Sequence, residues 1–193
     1  MKQTSLTPLQ IEQFRLVTAQ HEAAHFVVTE LLGGYVYGEI GIPKTNGNYP
    51  YNRRRPGRNK TYAGYIDFSN TYPQLEALQT LVGWAFEERH GSSYFGESDL
   101  GFAMSILENP RYYNVDVTKR SKRLALSLVD RFFPLVDAVA ALFLVNANKR
   151  GVVSNRSVQA IAKYIRDQLT SKDRILACKI RTLWLDPQCK IRN

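Results

Sequence analysis

Near the start of the chain the apolar positions recur in steps of three and four: Phe14, Val17, His21, His25, Val28 and Leu32. That spacing lays them on one stripe of an α-helix and puts both histidines on its inward side. Thr7-Pro8-Leu9-Gln10 reads as the helix start, with Thr7 as N-cap, Pro8 at the tolerated first position and Gln10 completing a capping box. Leu6 and Ile11 fall where a hydrophobic staple would close. Gly33-Gly34 ends the helix, the first glycine suiting a left-handed cap. Ala23 and Ala24 are small enough to let a neighbouring helix or a peptide come close.

The pattern then changes period. Val36, Ile40 and Ile42 near-alternate from Tyr35 to Ile42, before Pro43, and predict a strand. Residues 44–60, rich in Gly, Asn, Pro and Arg, predict a long exposed loop suited to a flexible flap beside a cleft. A second strand is expected from Thr61 through Gly64, Tyr65 and Ile66 to Phe68, pairing with the first as a hairpin. Helical spacing returns at Pro73, with Leu75, Leu78, Leu81, Val82, Ala85 and Phe86 inward and Arg89-His90-Gly91 as the stop. A short helix follows Ser98, with Leu100, Ala103, Met104 and Leu107 on one face and Asn109-Pro110 ending it. Val117 to Lys149 predicts helix interrupted at Pro134, and Ser154 caps a last helix through Val158, Ile161, Ile165 and Leu169. The fold class is mainly α (α+β): a helical domain over residues 1–170 with a small β-hairpin or short sheet beside the first helix. Residues 171–193 read as a basic C-terminal tail with Ile180, Leu183 and Trp184 available to dock.

Length and composition narrow the class. A chain of 193 residues, 44% hydrophobic and 22% charged, fits one soluble globular domain rather than a disordered segment. Met1 to Gln10 has no apolar core of a signal peptide, and Val136 to Val145 is broken by Asp137 and too short to span a bilayer. No integral membrane segment and a cytoplasmic location are therefore expected, with Cys178 and Cys189 as free thiols, although one bridge is arithmetically possible. The 26 Lys plus Arg against 17 Asp plus Glu give a formal charge of +9. The excess collects in Arg53 to Lys60, Lys119 to Arg123 and Lys172 to Arg192. Such patches attract acidic proteins, nucleic acid or an anionic membrane surface. No helix-turn-helix or other reader motif argues for specific nucleic-acid binding.

The chemistry concentrates in His21-Glu22-Ala23-Ala24-His25. Two imidazoles four residues apart on a helix reach one cation, and the intervening carboxylate can take a proton from a water beside it. This is the H-E-x-x-H pattern of zinc hydrolases. A zinc ion, Zn2+, needs a third protein ligand, and His90 and Asp99 are the candidates. His90 also suits a helix C-terminus and Asp99 the first turn of a helix. Spacing alone does not choose between them.

The motif and several segments C-terminal to it resemble the FtsH-type zinc metallopeptidase domain. The H-E-x-x-H helix resembles that family's HEAGH-type helix. Val36 to Pro43 followed by Ala63-Gly64-Tyr65-Ile66 resembles its strand pair. Gly83-Trp84-Ala85-Phe86-Glu87-Glu88 resembles its Gly-Arg-Ala-Ala-Glu-Glu helix. Gly96-Glu97-Ser98-Asp99-Leu100 resembles the segment that supplies its third zinc ligand, shortened by one residue. Val136 to Ile161, with Gly151 to Ser154 between two helices, resembles its closing helical part. The resemblance implies His21, His25 and Asp99 as ligands and Glu22 as catalytic base. Glu87 or Glu88 is a candidate acceptor for a ligand imidazole, beside the reading of both as solvated helix-end carboxylates. The strand with Gly64, Tyr65 and Ile66 would hold an extended substrate by edge pairing.

The expected activity is an ATP-independent zinc metalloendopeptidase acting on flexible or unfolded protein substrates. The family couples this domain to an AAA+ ATPase, whereas these residues contain no Walker-type phosphate loop. A homo-oligomer and a separate unfoldase or regulatory partner both remain open. Two other classes stand beside this one. One is a non-catalytic scaffold binding a protein partner through its basic loop and tail. The other is a nucleic-acid-associated protein, whose affinity would fall steeply with salt.

Overall fold

Helix α1 (Pro8–Leu31) is the element against which most of the others pack. The computed structural model describes residues 7–46, 66, 68–69, 72–91, 96–108 and 115–185. Thr7 caps α1 as its sequence predicts: its Oγ1 accepts from the Gln10 N–H at 3.3 Å, and Gln10 Oε1 accepts from the Thr7 N–H at 2.9 Å. Leu6, the other half of the expected staple, lies outside the described residues. From His21 to Thr29 every residue is buried. This second half of the helix is therefore enclosed on all sides, a wider burial than a single apolar stripe implies. It stops at Gly33, whose φ of +69° is the left-handed conformation that favours glycine.

The stretch predicted as one strand is split in two. Strand β1 (Tyr35–Val36) pairs antiparallel with β3 (Phe68–Ser69), placing Tyr35 opposite Ser69 and Val36 opposite Phe68. Strand β2 (Ile40–Gly41) instead pairs with β4 (Val152–Val153), a segment whose sequence suggests only a connection between helices. Gly38, at φ +83°, turns the chain between the two halves. The Ile42 N–H donates to the Gly151 carbonyl at 2.8 Å, and a Cβ at Gly151 would come 2.1 Å from the Ile42 carbonyl oxygen. So close a crossing admits only glycine. The expected hairpin is thus confined, among the described residues, to the β1–β3 pair. Thr61 to Tyr65 and most of the predicted 44–60 loop, including Arg53 to Lys60, lie outside them.

Helix α2 (Pro73–His90) opens on proline and ends at left-handed Gly91, whose N–H donates to the Glu87 carbonyl at 2.9 Å. Helix α3 (Gly96–Leu107) starts two residues before the predicted Ser98 and buries Ala103 and Leu107. Its expected stop, Asn109-Pro110, lies outside the described residues. Helix α4 (Val115–Asn146) runs unbroken through Pro134, against the predicted interruption. Proline cannot donate to the Asp130 carbonyl and costs the helix a hydrogen bond. Both flanks are pinned in the core, Leu128, Val129 and Phe132 before it and Val136, Val139 and Ala140 after it. That packing overrides the local preference.

Helix α5 (Asn155–Gln168) is capped by Ser154, as expected, and buries Val158, Ile161, Ala162 and Ile165. The segment whose composition suggests a basic tail carries a further helix, α6 (Ser171–Leu185), with Ala177 and Ile180 in the core. Thr170 and Asp173 cap each other's backbone at its start, and Arg131 of α4 holds the Asp173 carboxylate at 2.7 Å. The protein is mainly helical, with two small two-stranded sheets among the described residues. Among the described residues no helix is long and apolar enough to cross a membrane.

Candidate metal centre

Helices α1, α2 and α3 bring the chemistry together. His21 and His25, one turn apart on α1, aim their Nε2 atoms at the same point, 3.2 Å from each other. Asp99, near the start of α3, places Oδ2 at 3.0 Å from His21 Nε2 and 3.1 Å from His25 Nε2. These atoms form a near-equilateral triangle, and the three residues are a group that could hold a metal ion. Ligands about 2.0 Å from a zinc ion at tetrahedral angles stand about 3.3 Å apart, close to the three edges here.

The far nitrogens of both rings are held. His25 Nδ1 donates to the Gln79 carbonyl of α2 at 2.8 Å. His21 Nδ1 lies 2.9 Å from Glu87 Oε1, also on α2. A ring whose Nδ1 carries the proton presents the Nε2 lone pair to a cation. Phe68 of β3 stacks on the His25 ring at 5.5 Å and covers its face.

Gly83 supplies the space. A Cβ there would come 2.3 Å from Asp99 Oδ2 and 2.4 Å from His25 Nε2. Glycine inside a helix costs about 1 kcal/mol relative to alanine. At this position of α2 it lets the Asp99 carboxylate and the His25 ring lie directly against the helix backbone.

Electrostatics point the same way. Glu22, Glu87 and Asp99 are three carboxylates around two imidazoles, and His21, Glu22 and Glu87 are buried. Burial pulls the His21 pKa down, but hydrogen bonds to Asp99 and Glu87 outweigh it and raise the pKa to about 10. Burial likewise pushes the Asp99 carboxyl up, and the neighbouring histidines more than reverse this, holding it below the usual carboxylate range. Glu22 is raised to about 7 by burial, with His21 and His25 opposing. In the cation-free site His21 therefore keeps a proton between the facing acceptors. A divalent cation at the triangle would take over that role and release the proton.

Of the residues singled out in the sequence, His21, His25 and Asp99 form the triangle, Glu87 lies against His21 Nδ1, and Glu22 is buried within electrostatic reach of them. Glu88 is exposed and takes no part in it. His90, the other candidate ligand, is sandwiched between the rings of Phe86 and Phe133 at 4.6 Å each, and does not join the group. Ile66 packs against the core, while Gly64 and Tyr65 lie outside the described residues. Sequence reasoning missed Gly83 and Gln79. A glycine within a strongly helical stretch was the available signal for the first; Gln79 acts through its backbone and leaves none.

No protein-family model, curated protein or solved structure matches the chain.

Proposed function

We propose that the chain is a zinc-dependent metallopeptidase that cleaves peptide bonds in flexible or unfolded protein segments. The reading rests chiefly on one observation: Asp99, 74 residues beyond His25, closes a triangle of ligand atoms with the H-E-x-x-H histidines. These are the residues that the resemblance to the FtsH-type domain assigns as ligands. Two nitrogens and one carboxylate oxygen suit zinc and leave a fourth position for solvent or substrate, as in catalytic rather than structural sites.

A bound zinc ion supplies Lewis acidity, which polarises a peptide carbonyl and acidifies a water. The chain's own residues do the rest. His21, His25 and Asp99 would hold the ion, and Glu87 and the Gln79 carbonyl orient the two rings. Glu22, buried beside them, is the base. A group whose pKa stands at about 7 accepts a proton from the attacking water and returns it to the departing amine. A cation alongside would pull this pKa lower and favour the ionised, accepting form. Such hydrolysis uses no nucleotide.

Glu22→Gln tests the reading. Against an unstructured, fluorescently labelled protein substrate, the variant is expected to retain zinc and lose about 10²–10⁴-fold in hydrolysis rate. Hydrolysis retained by the variant removes Glu22 from the mechanism. Substrate binding without turnover in the zinc-loaded wild type favours a non-catalytic peptide-binding scaffold instead.

A further inference from the structure

On helices α4 and α5, the elements that supply none of the metal-site residues, a solvent-open groove of about 630 Å³ runs between the two. We propose that this groove is a docking site for an acidic amphipathic helix of a partner protein. Its walls are Ala138, Ala141 and Leu142 on α4 and Ala160, Ile161 and Tyr164 on α5. On both walls the residues follow steps of three and four, so each helix offers one ridge. Two such ridges with alanines between them form the trough into which a third helix packs. Val145, one turn beyond Leu142, is 82% exposed and extends the apolar strip.

Charge selects the occupant. Arg156 lines one end of the groove, and Lys149 and Arg150 stand in the short connection at that same end. All three are exposed, and among the described residues none has an ion-pair partner. The N-terminus of α5 adds its positive end there. A helix with leucines on one face and carboxylates around them would fill the alanine floor and neutralise these cations. A second copy of this chain is the poorer fit, since two chains of charge +9 repel each other.

The probe is a fluorescent synthetic helix of about four turns, made of Ala and Glu with leucines at three- and four-residue steps. Its mate carries Lys in place of Glu. Anisotropy titrations use the whole chain, with Ala141→Tyr to fill the floor and Arg156→Glu to reverse the charge. Both residues are exposed, and circular dichroism checks that each variant folds. The acidic helix is expected to bind saturably, the basic helix not to bind, and each variant to weaken binding by about tenfold or more. Failure of the acidic helix to bind, equal binding of both helices, or unchanged affinity in both variants overturns the proposal. So does a wild-type dimer in sedimentation that Ala141→Tyr dissociates, which would make a second copy the occupant.

Discussion

A methyl group on Gly83 would sit 2.3 Å from Asp99 Oδ2, well inside van der Waals contact. Helices α1, α2 and α3 meet here with no space for a side chain at residue 83. Gly83→Ala should therefore favour helix α2 by propensity, by up to about 1 kcal/mol, while pushing the ligand atoms apart. The expected outcome is a folded protein with clearly lowered zinc content, read by metal analysis and circular dichroism side by side. Full zinc content in the folded variant would show that the packing of His25 and Asp99 against Gly83 does not set the ligand positions.

Glu87 should act through His21 alone. Its Oε1 lies 2.9 Å from His21 Nδ1, and Glu87→Gln keeps the shape but removes the charge that holds the ring's proton. Loss of such a supporting group typically costs 10–100-fold in metal affinity. Competition against a zinc-binding dye should report a weakening of about that size, whereas Glu88→Gln, on the exposed side of the same helix, should leave affinity unchanged.

The metal-free protein should lose thermal stability as pH rises. His21 moves from 6.5 in a free chain to about 10 in the fold, and Glu22 from 4.5 to about 7. Both groups bind protons more tightly folded than unfolded. Their contribution is present at low pH and is lost through the interval from 4.5 to about 10. Melting temperatures of chelator-treated protein across this range should fall with pH, and zinc loading should remove much of the slope. A melting temperature that rises with pH in the metal-free protein would contradict the assignment of these protons.

Much of this centre was legible in the sequence because a helix repeats. Thr7 and Gln10 announce the start of α1, and the four-residue step from His21 to His25 fixes both imidazoles on one face. Asp99 was not selected by spacing, since the contact is made across the fold from a different helix. Residue composition could not separate it from His90, which instead stacks between Phe86 and Phe133. The β2–β4 pair was illegible for a simpler reason: strands of two residues carry no period. Pro134 was misleading because local preference says nothing of the core on either side of it. Helix α6 was obscured by the basic residues among its apolar ones.

Helix α6 gives its own prediction. Ile180 is only 3% exposed, within a segment whose composition suggests a tail. Ile180→Ala should destabilise the protein by about 2–5 kcal/mol, as for other large-to-small core substitutions, measured by urea unfolding. Ile175→Ala, at 57% exposure on the same helix, should have little effect. Equal, negligible effects would mean that α6 is not part of the core.

The most direct test of the metal centre is zinc content per folded chain, wild type against Asp99→Ala. About one zinc ion per wild-type chain is expected, falling sharply in the variant, because two histidines alone leave the site a ligand short. Zinc retained in full by Asp99→Ala, or a folded wild type that takes up none when it is supplied, would contradict the His21–His25–Asp99 site.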